Sequence, residues 1–193
     1  MTSDEALQEL LEGNKRFIER HMKHPDQTIE RQIEIIQGQN PFAIILGCSD
    51  SRIPPEIIFD QGLGDLFVIR VAGNMLDDII MGSIEYAVEH LNVTLVMVMG
   101  HSKCGAVKAS ISGSNFSPNI KFIVNSLMPS VAKAKELKGD IYENTTKLNI
   151  LKAVDELTAN PPILDKLVAK GQLKIVGAYY NLETGLVEIL KHV

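Results

Sequence analysis

Three short runs constrain this chain more than any other feature. Phe42-Ala43-Ile44-Ile45-Leu46, Leu66-Phe67-Val68-Ile69-Arg70-Val71 and Val93-Thr94-Leu95-Val96-Met97-Val98-Met99 are apolar at nearly every position rather than at alternate ones. A strand with one wet face alternates, whereas a parallel strand covered by helices on both sides has no polar face to show. Between the second and third runs, Asp77 to His90 carries Ile79, Ile80, Ile84, Ala87 and Val88 at helical spacing. Apolar strands alternating with helices predict an α/β fold with a mostly parallel sheet.

The remaining segments extend that pattern. Residues 3–20 read as an amphipathic helix, capped by Thr2 with Glu5 or by Ser3, with Leu7, Leu10, Leu11, Phe17 and Ile18 at helical spacing. Such a leading helix packs on its own domain or reaches across to a second subunit. A second helix is expected over Arg31 to Gln37, ending near Gly38. A short helix over 106–112 precedes the loop Ser112-Gly113-Ser114-Asn115, and Ser117-Pro118 marks the next helix start, since proline is tolerated at the first helical position. Helices are expected over 118–137, 140–159 and 162–170, and a fourth strand over 173–179. Asn181 to Gly185 reads as a hairpin turn into an antiparallel strand over 186–190. The expected architecture is a mostly parallel central sheet of four strands plus an antiparallel C-terminal edge strand, flanked by helices. One domain spans 1–193, its first 38 residues forming an N-terminal helical arm.

Composition narrows the partners. A net charge of −5, a pI near 5.5 and no run of Lys or Arg argue against nucleic-acid binding, which needs a basic face. The longest apolar stretches are far too short to cross a bilayer, and the acidic Met1-Thr2-Ser3-Asp4-Glu5 start lacks the order of a signal peptide. Two cysteines without a secretion signal point to a reducing, cytoplasmic location, where a metal site or catalysis is expected before a disulfide.

Both cysteines lie where chemistry is expected. Cys48-Ser49-Asp50-Ser51-Arg52 follows the first apolar run and His101-Ser102-Lys103-Cys104-Gly105 follows the third. Ligands of an open α/β sheet bind at the carboxyl ends of its strands, so the two stretches can meet although Cys48 and His101 stand 53 positions apart. Two thiolates and an imidazole match the ligand preference of zinc, and three protein ligands leave a fourth position for water. Zinc lowers the pKa of such a water from about 15.7 to roughly 7, which makes hydroxide available at neutral pH. Asp50 either closes the site as a fourth ligand or is held off the metal by Arg52, leaving it to accept a hydrogen bond from the zinc water. The Gly105 amide, at a helix start, can stabilise an anionic product. Two competing readings are a pair of inert buried cysteines beside a hydrogen-bonded histidine, and a closed structural zinc site, which normally uses two paired knuckles.

At these residues the chain resembles the β-class carbonic anhydrases. The Cys-Ser-Asp-Ser-Arg block at 48–52 and the His-Ser-x-Cys-Gly block at 101–105 carry the likeness, supported by Gly64 to Arg70 and by Ser83-Ile84-Glu85-Tyr86-Ala87-Val88. It runs from about residue 5 to the terminal hairpin. The resemblance implies one zinc per subunit on Cys48, His101 and Cys104, with Asp50 and Arg52 as the dyad beside it, and reversible hydration of carbon dioxide to bicarbonate and a proton. It implies a homodimer or dimer of dimers, with active sites at the subunit interface and N-terminal helices embracing the partner. Gln39 matches a glutamine that hydrogen-bonds substrate, and Phe67 and Tyr86 match aromatic positions lining the pocket.

There are departures. Ile45 stands where members with a bicarbonate-regulated, aspartate-closed site carry a tryptophan, and this chain has no tryptophan, which counts against that regulation. Val71-Ala72-Gly73-Asn74 differs from the commoner Asn-x-Ala-Asn, which bears on pocket shape. Relatives that hydrolyse carbonyl sulfide or carbon disulfide use the same site, so those substrates form an alternative. A zinc-stabilised dimeric binding protein is the non-enzymatic one, although a purely structural site needs neither Asp50 nor Arg52. His21 and His24 read as solvated, His90 as a helix-end dipole contact, and Tyr179 and Tyr180 as sheet packing.

Overall fold

A computed structural model describes residues 1–159 and 163–193. Its five strands are β1 (Ala43–Gly47), β2 (Leu66–Arg70), β3 (Leu95–His101), β4 (Lys174–Tyr180) and β5 (Val187–His192). They form one sheet in the order β2-β1-β3-β4-β5. The first four are mutually parallel and β5 pairs antiparallel with β4, as the sequence predicts.

The helices are α1 (Ser3–Glu19), α2 (Ile29–Ile35), α3 (Pro55–Ile58), α4 (Asp78–His90), α5 (Gly105–Ser112), α6 (Pro118–Ala134), α7 (Ile141–Ala159) and α8 (Leu164–Ala169). They explain why the strand sequences do not alternate. Ala43, Ile45, Met97 and Met99 face a layer made by α1, α3, α5 and α6. Ile44, Leu46, Val96 and Val98 face the other layer, made by α4, α7 and α8. Every residue of β1 and β3 is buried. The expected start of the last helix at 162 lies outside the described residues. No helix among the described residues is long and apolar enough to cross a membrane.

Two close approaches set the layer spacing on the α7 side. A Cβ on Gly100 would stand 2.7 Å from the Ile150 side chain, and one on Gly177 2.9 Å from it. Both glycines belong to neighbouring strands, and the bare backbone there lets α7 settle onto the sheet with Ile150 filling the space.

Of the two placements the sequence leaves open for α1, the structure shows packing on its own domain. The helix begins with a capping box, Thr2 Oγ1 accepting from the Glu5 amide while Glu5 Oε2 accepts from the Thr2 amide. Ala6, Leu7 and Leu10 enter the core. The buried Asn14 side chain donates to Gly185 O at 2.8 Å and accepts from the Val187 amide at 2.9 Å, tying α1 to the β4–β5 turn. By contrast α2 buries none of its residues and leaves Ile29 and Ile33 exposed, with Ile36 at its end equally bare.

Strand β3 begins two residues later than the apolar run suggests and ends two residues later, inside the second chemical stretch. Asn92 takes a left-handed φ of 56° and the Val93 amide bonds to Ala87 O, so the end of α4 captures Val93 before the strand begins. At the other end Gly100 and His101 continue the ladder, His101 opposite Tyr180. His101 is therefore a strand residue. The one-turn helix α3 was not expected; Pro54 and Pro55 start it directly after the first chemical stretch.

Candidate metal centre

The register of the sheet brings the two stretches together. Strands β1 and β3 are parallel neighbours with Gly47 opposite Met99, so Cys48 leaves β1 beside the last residues of β3. Ser102 and Lys103 then turn the chain sharply, Lys103 at a φ of 56°, and Cys104 becomes the N-cap of α5. The Cys48 and Cys104 sulfurs and a His101 ring nitrogen all lie within 4.8 Å of one another, and all three residues are buried.

His101 is fully buried and its two nitrogens are in different situations. Nδ1 lies 2.9 Å from Ser102 O, so a proton on Nδ1 is donated to that carbonyl. Nε2 is then an acceptor, and it is buried with no hydrogen-bond partner. A buried acceptor without a donor is costly. Facing two thiols, it has the environment that a borderline-soft cation satisfies. Ser102 is itself anchored, its amide donating to Tyr180 O and its Oγ accepting from the Leu182 amide, both at 2.9 Å.

The thiols behave as a pair. The Cys48 thiol is pushed strongly down, first by the neighbouring Cys104 side chain and also by the Gly73 amide, against the opposing effect of burial. The Cys104 thiol is pushed up by the neighbouring Cys48 and by burial. Two adjacent thiolates are balanced in charge by a cation, which is the arrangement of a dithiolate metal site.

Around Cys48 the loop is braced by side chains. Arg70, at the carboxyl end of β2, donates from Nε to Cys48 O at 3.0 Å and from its terminal nitrogen to Asp50 O. Arg52 grips the Asp50 carboxylate with two bonds, Nε to Oδ1 at 2.9 Å and a terminal nitrogen to Oδ2 at 2.7 Å, and its amide adds a third at 3.0 Å. The Arg52 guanidinium also donates to Lys103 O, joining the two stretches. Chiefly through the Arg52 hydrogen bonds, the Asp50 carboxyl is held down at about 2. Asp50 Oδ2 stands 3.9 Å from His101 Nε2, beyond a hydrogen bond but next to the unpartnered nitrogen. Of the two arrangements open in the sequence, the carboxylate is in the one held by Arg52.

Gly105 opens α5 and is exposed. A cavity of about 620 Å³ opens beside Cys104, with Ser102, Lys103, Lys108, Tyr142 and Tyr179 in its wall.

Three residues carried over by resemblance lie elsewhere in the chain. Gln39 is exposed and precedes β1, so about 16 Å of strand separates its end of the sheet from Cys48. Phe67 is half-buried on the edge strand β2 opposite Ile44, four residues short of Cys48 in register. Tyr86 is exposed on α4, its ring 5.1 Å from that of His90. Helix α4 runs back from the carboxyl end of β2 toward the start of β3, so Tyr86 sits well down from the metal end. Within one chain none of the three is brought to the Cys48–His101–Cys104 cluster.

The sequence reading assigned no role to Arg70 or to the Gly73 amide, which donates to Cys48 Sγ at 3.3 Å. A charged residue ending an apolar parallel strand was a usable signal for Arg70. A backbone amide leaves no such signal.

A family model described as "Carbonic anhydrase" matches residues 43–187. "Carbonic anhydrase 2" of Mycobacterium tuberculosis is 38% identical over 192 residues, covering 97% of this chain and 93% of that protein. A Coccomyxa β-carbonic anhydrase solved with acetazolamide superposes with a TM-score of 0.77 at 29% identity, over 95% of this chain and 86% of its own. One of two β-carbonic anhydrases of Sordaria macrospora, described as tetrameric, gives 0.77 at 25% identity, over 84% of this chain and 87% of its own.

Proposed function

This chain belongs to the β-class carbonic anhydrases, and from that membership we propose that it hydrates carbon dioxide reversibly to bicarbonate and a proton at one zinc ion held by Cys48, His101 and Cys104. The observation that carries the reading is the unpartnered, buried His101 Nε2 facing two buried thiols, within 4.8 Å, beside an Arg52-held carboxylate. When bound, zinc supplies Lewis acidity and makes water acidic enough to act near neutral pH.

The protein groups have separable tasks. Ser102 O fixes the histidine tautomer so that Nε2 is free for the metal. Asp50 accepts a hydrogen bond from the reacting water and so aims its oxygen at the carbon of the substrate. With its carboxyl held at about 2, Asp50 is too weak a base to keep the proton at neutral pH, and the proton passes to solvent. Arg52 keeps the carboxylate in register, and the Gly105 amide faces developing anionic charge.

We further read the working form as a homodimer or dimer of dimers. Gln39, Phe67 and Tyr86 contribute to the pocket only if a second copy delivers them, and the bare Ile29, Ile33 and Ile36 stripe supports such a contact. Two ligating thiols need a reducing compartment, which supports a cytoplasmic location.

The test combines metal analysis with substrate assays on the purified protein. One zinc per chain and carbon dioxide hydration without hydrogen sulfide release from carbonyl sulfide are expected. Absence of metal, or hydrogen sulfide release without hydration, overturns the reading.

A further inference from the structure

We propose that Asn149 is a positioning residue of the metal centre, acting through the Gly73 backbone on the Cys48 sulfur. The proposal rests on Cys48 being a metal ligand. Asn149 lies on α7, is only 4% exposed, and its side-chain amide donates to Gly73 O at 2.9 Å. Gly73 in turn donates its N–H to Cys48 Sγ at 3.3 Å. Two hydrogen bonds therefore connect a helix on the far side of the turn to a ligand atom.

The turn needs such a hold. Gly73 and Asn74 are consecutive left-handed residues, with φ of 75° and 44°, and the second is unfavourable for a side chain-bearing residue. The peptide between them is fixed at both ends, its N–H donating to Val71 O at 3.0 Å and its carbonyl accepting from Asn149. With that peptide fixed, the turn that presents the Gly73 N–H to the sulfur is held from its far side. Its α-carbon is also confined, because a Cβ there would stand 3.2 Å from Ala106.

The position of Asn149 is set by the core. Its neighbour Ile150 fills the space left by Gly100 and Gly177, which settles α7 onto β3 and β4. The relay thus transmits a placement decided by sheet packing to the Cys48 thiolate. An N–H···S bond withdraws charge from a thiolate and fixes its direction, which is how groups behind the ligands tune a metal.

The test uses metal-loaded protein with readouts other than turnover. Loaded with NMR-active cadmium, the wild type is expected to show scalar coupling between the Gly73 amide proton and the metal across the sulfur. Loaded with cobalt(II), it gives a thiolate-to-metal charge-transfer band. Asn149→Leu removes the donor at similar size; it is expected to lose the coupling, shift the band and release metal to a chelator roughly 10–100-fold faster. Ala153→Gly weakens the same helix without touching the turn and is expected to leave all three unchanged. Unaltered coupling, band and release in Asn149→Leu overturn the proposal, as do equal changes in Ala153→Gly. If Asn149→Leu does not fold, the wild type still decides, because absence of coupling at Gly73 in cadmium-loaded protein overturns it. Failure of the wild type to take up any metal overturns the ligand assignment itself, and this proposal with it.

Discussion

The stretch after β1 and the turn after β3 converge on one centre, but they are held in place by different kinds of group. Cys48 and Asp50 lie on a loop braced by side chains, Arg70 on its carbonyls and Arg52 on its carboxylate. His101 and Cys104 are placed by backbone: a strand ladder, the Ser102 carbonyl and amide, and the start of α5. Backbone restraints survive most substitutions, whereas a guanidinium is lost with one. The β3 side is therefore the fixed half of the site and the β1 side the adjustable half, whose carboxylate is held by a side chain.

Three substitutions probe that contrast, the largest effect first. Cys104→Ala removes a proposed ligand from the fixed half, and metal content and carbon dioxide hydration are both expected to vanish while the fold persists; elemental analysis and circular dichroism check this. Retained zinc would show that Cys104 is not a ligand.

Arg52→Ala strips the adjustable half of its brace. Hydration is expected to fall roughly 10–100-fold with zinc retained. The Arg52 bonds lower the Asp50 carboxyl, so their contribution to stability is present above the ordinary carboxylate range and is lost only as pH falls through about 2. Without the Arg52 guanidinium, Asp50 should titrate at a higher pH than in the wild type, measured as the carboxyl carbon shift by NMR. An unchanged titration would assign the low value to another group.

Ser102→Ala has the smallest expected effect. It leaves the Leu182 amide without its acceptor, costing about 1 kcal/mol of stability. It keeps the carbonyl that holds His101, so hydration kinetics should not change. A kinetic defect would mean that the hydroxyl, not the backbone, positions the histidine.

Much of the fold was legible because burial on both faces leaves an unmistakable record in strands such as Ala43–Gly47 and Leu95–His101. The ends were harder. Whether Val93 joins the strand depends on its amide being captured by Ala87 O, a contact between elements that no local pattern announces. The site was legible to the extent that it consists of side-chain chemistry at strand ends: two cysteines, a histidine, an aspartate and an arginine. Gln39, Phe67 and Tyr86 were identified by likeness alone. In one chain their strand and helix positions keep them from the cluster.

The sequence by itself placed two thiols and one imidazole at the ends of doubly buried strands, and it determined the parallel sheet that brings those ends together. Tertiary structure alone decided three further things: which nitrogen of His101 is free, which partner holds Asp50, and what stands behind Cys48. Each of these depends on a direction in space. Ser102 O, the Gly73 amide and the Val71 carbonyl are groups that nearly every residue carries, and only the packing of α7 and the turns against the sheet aims them.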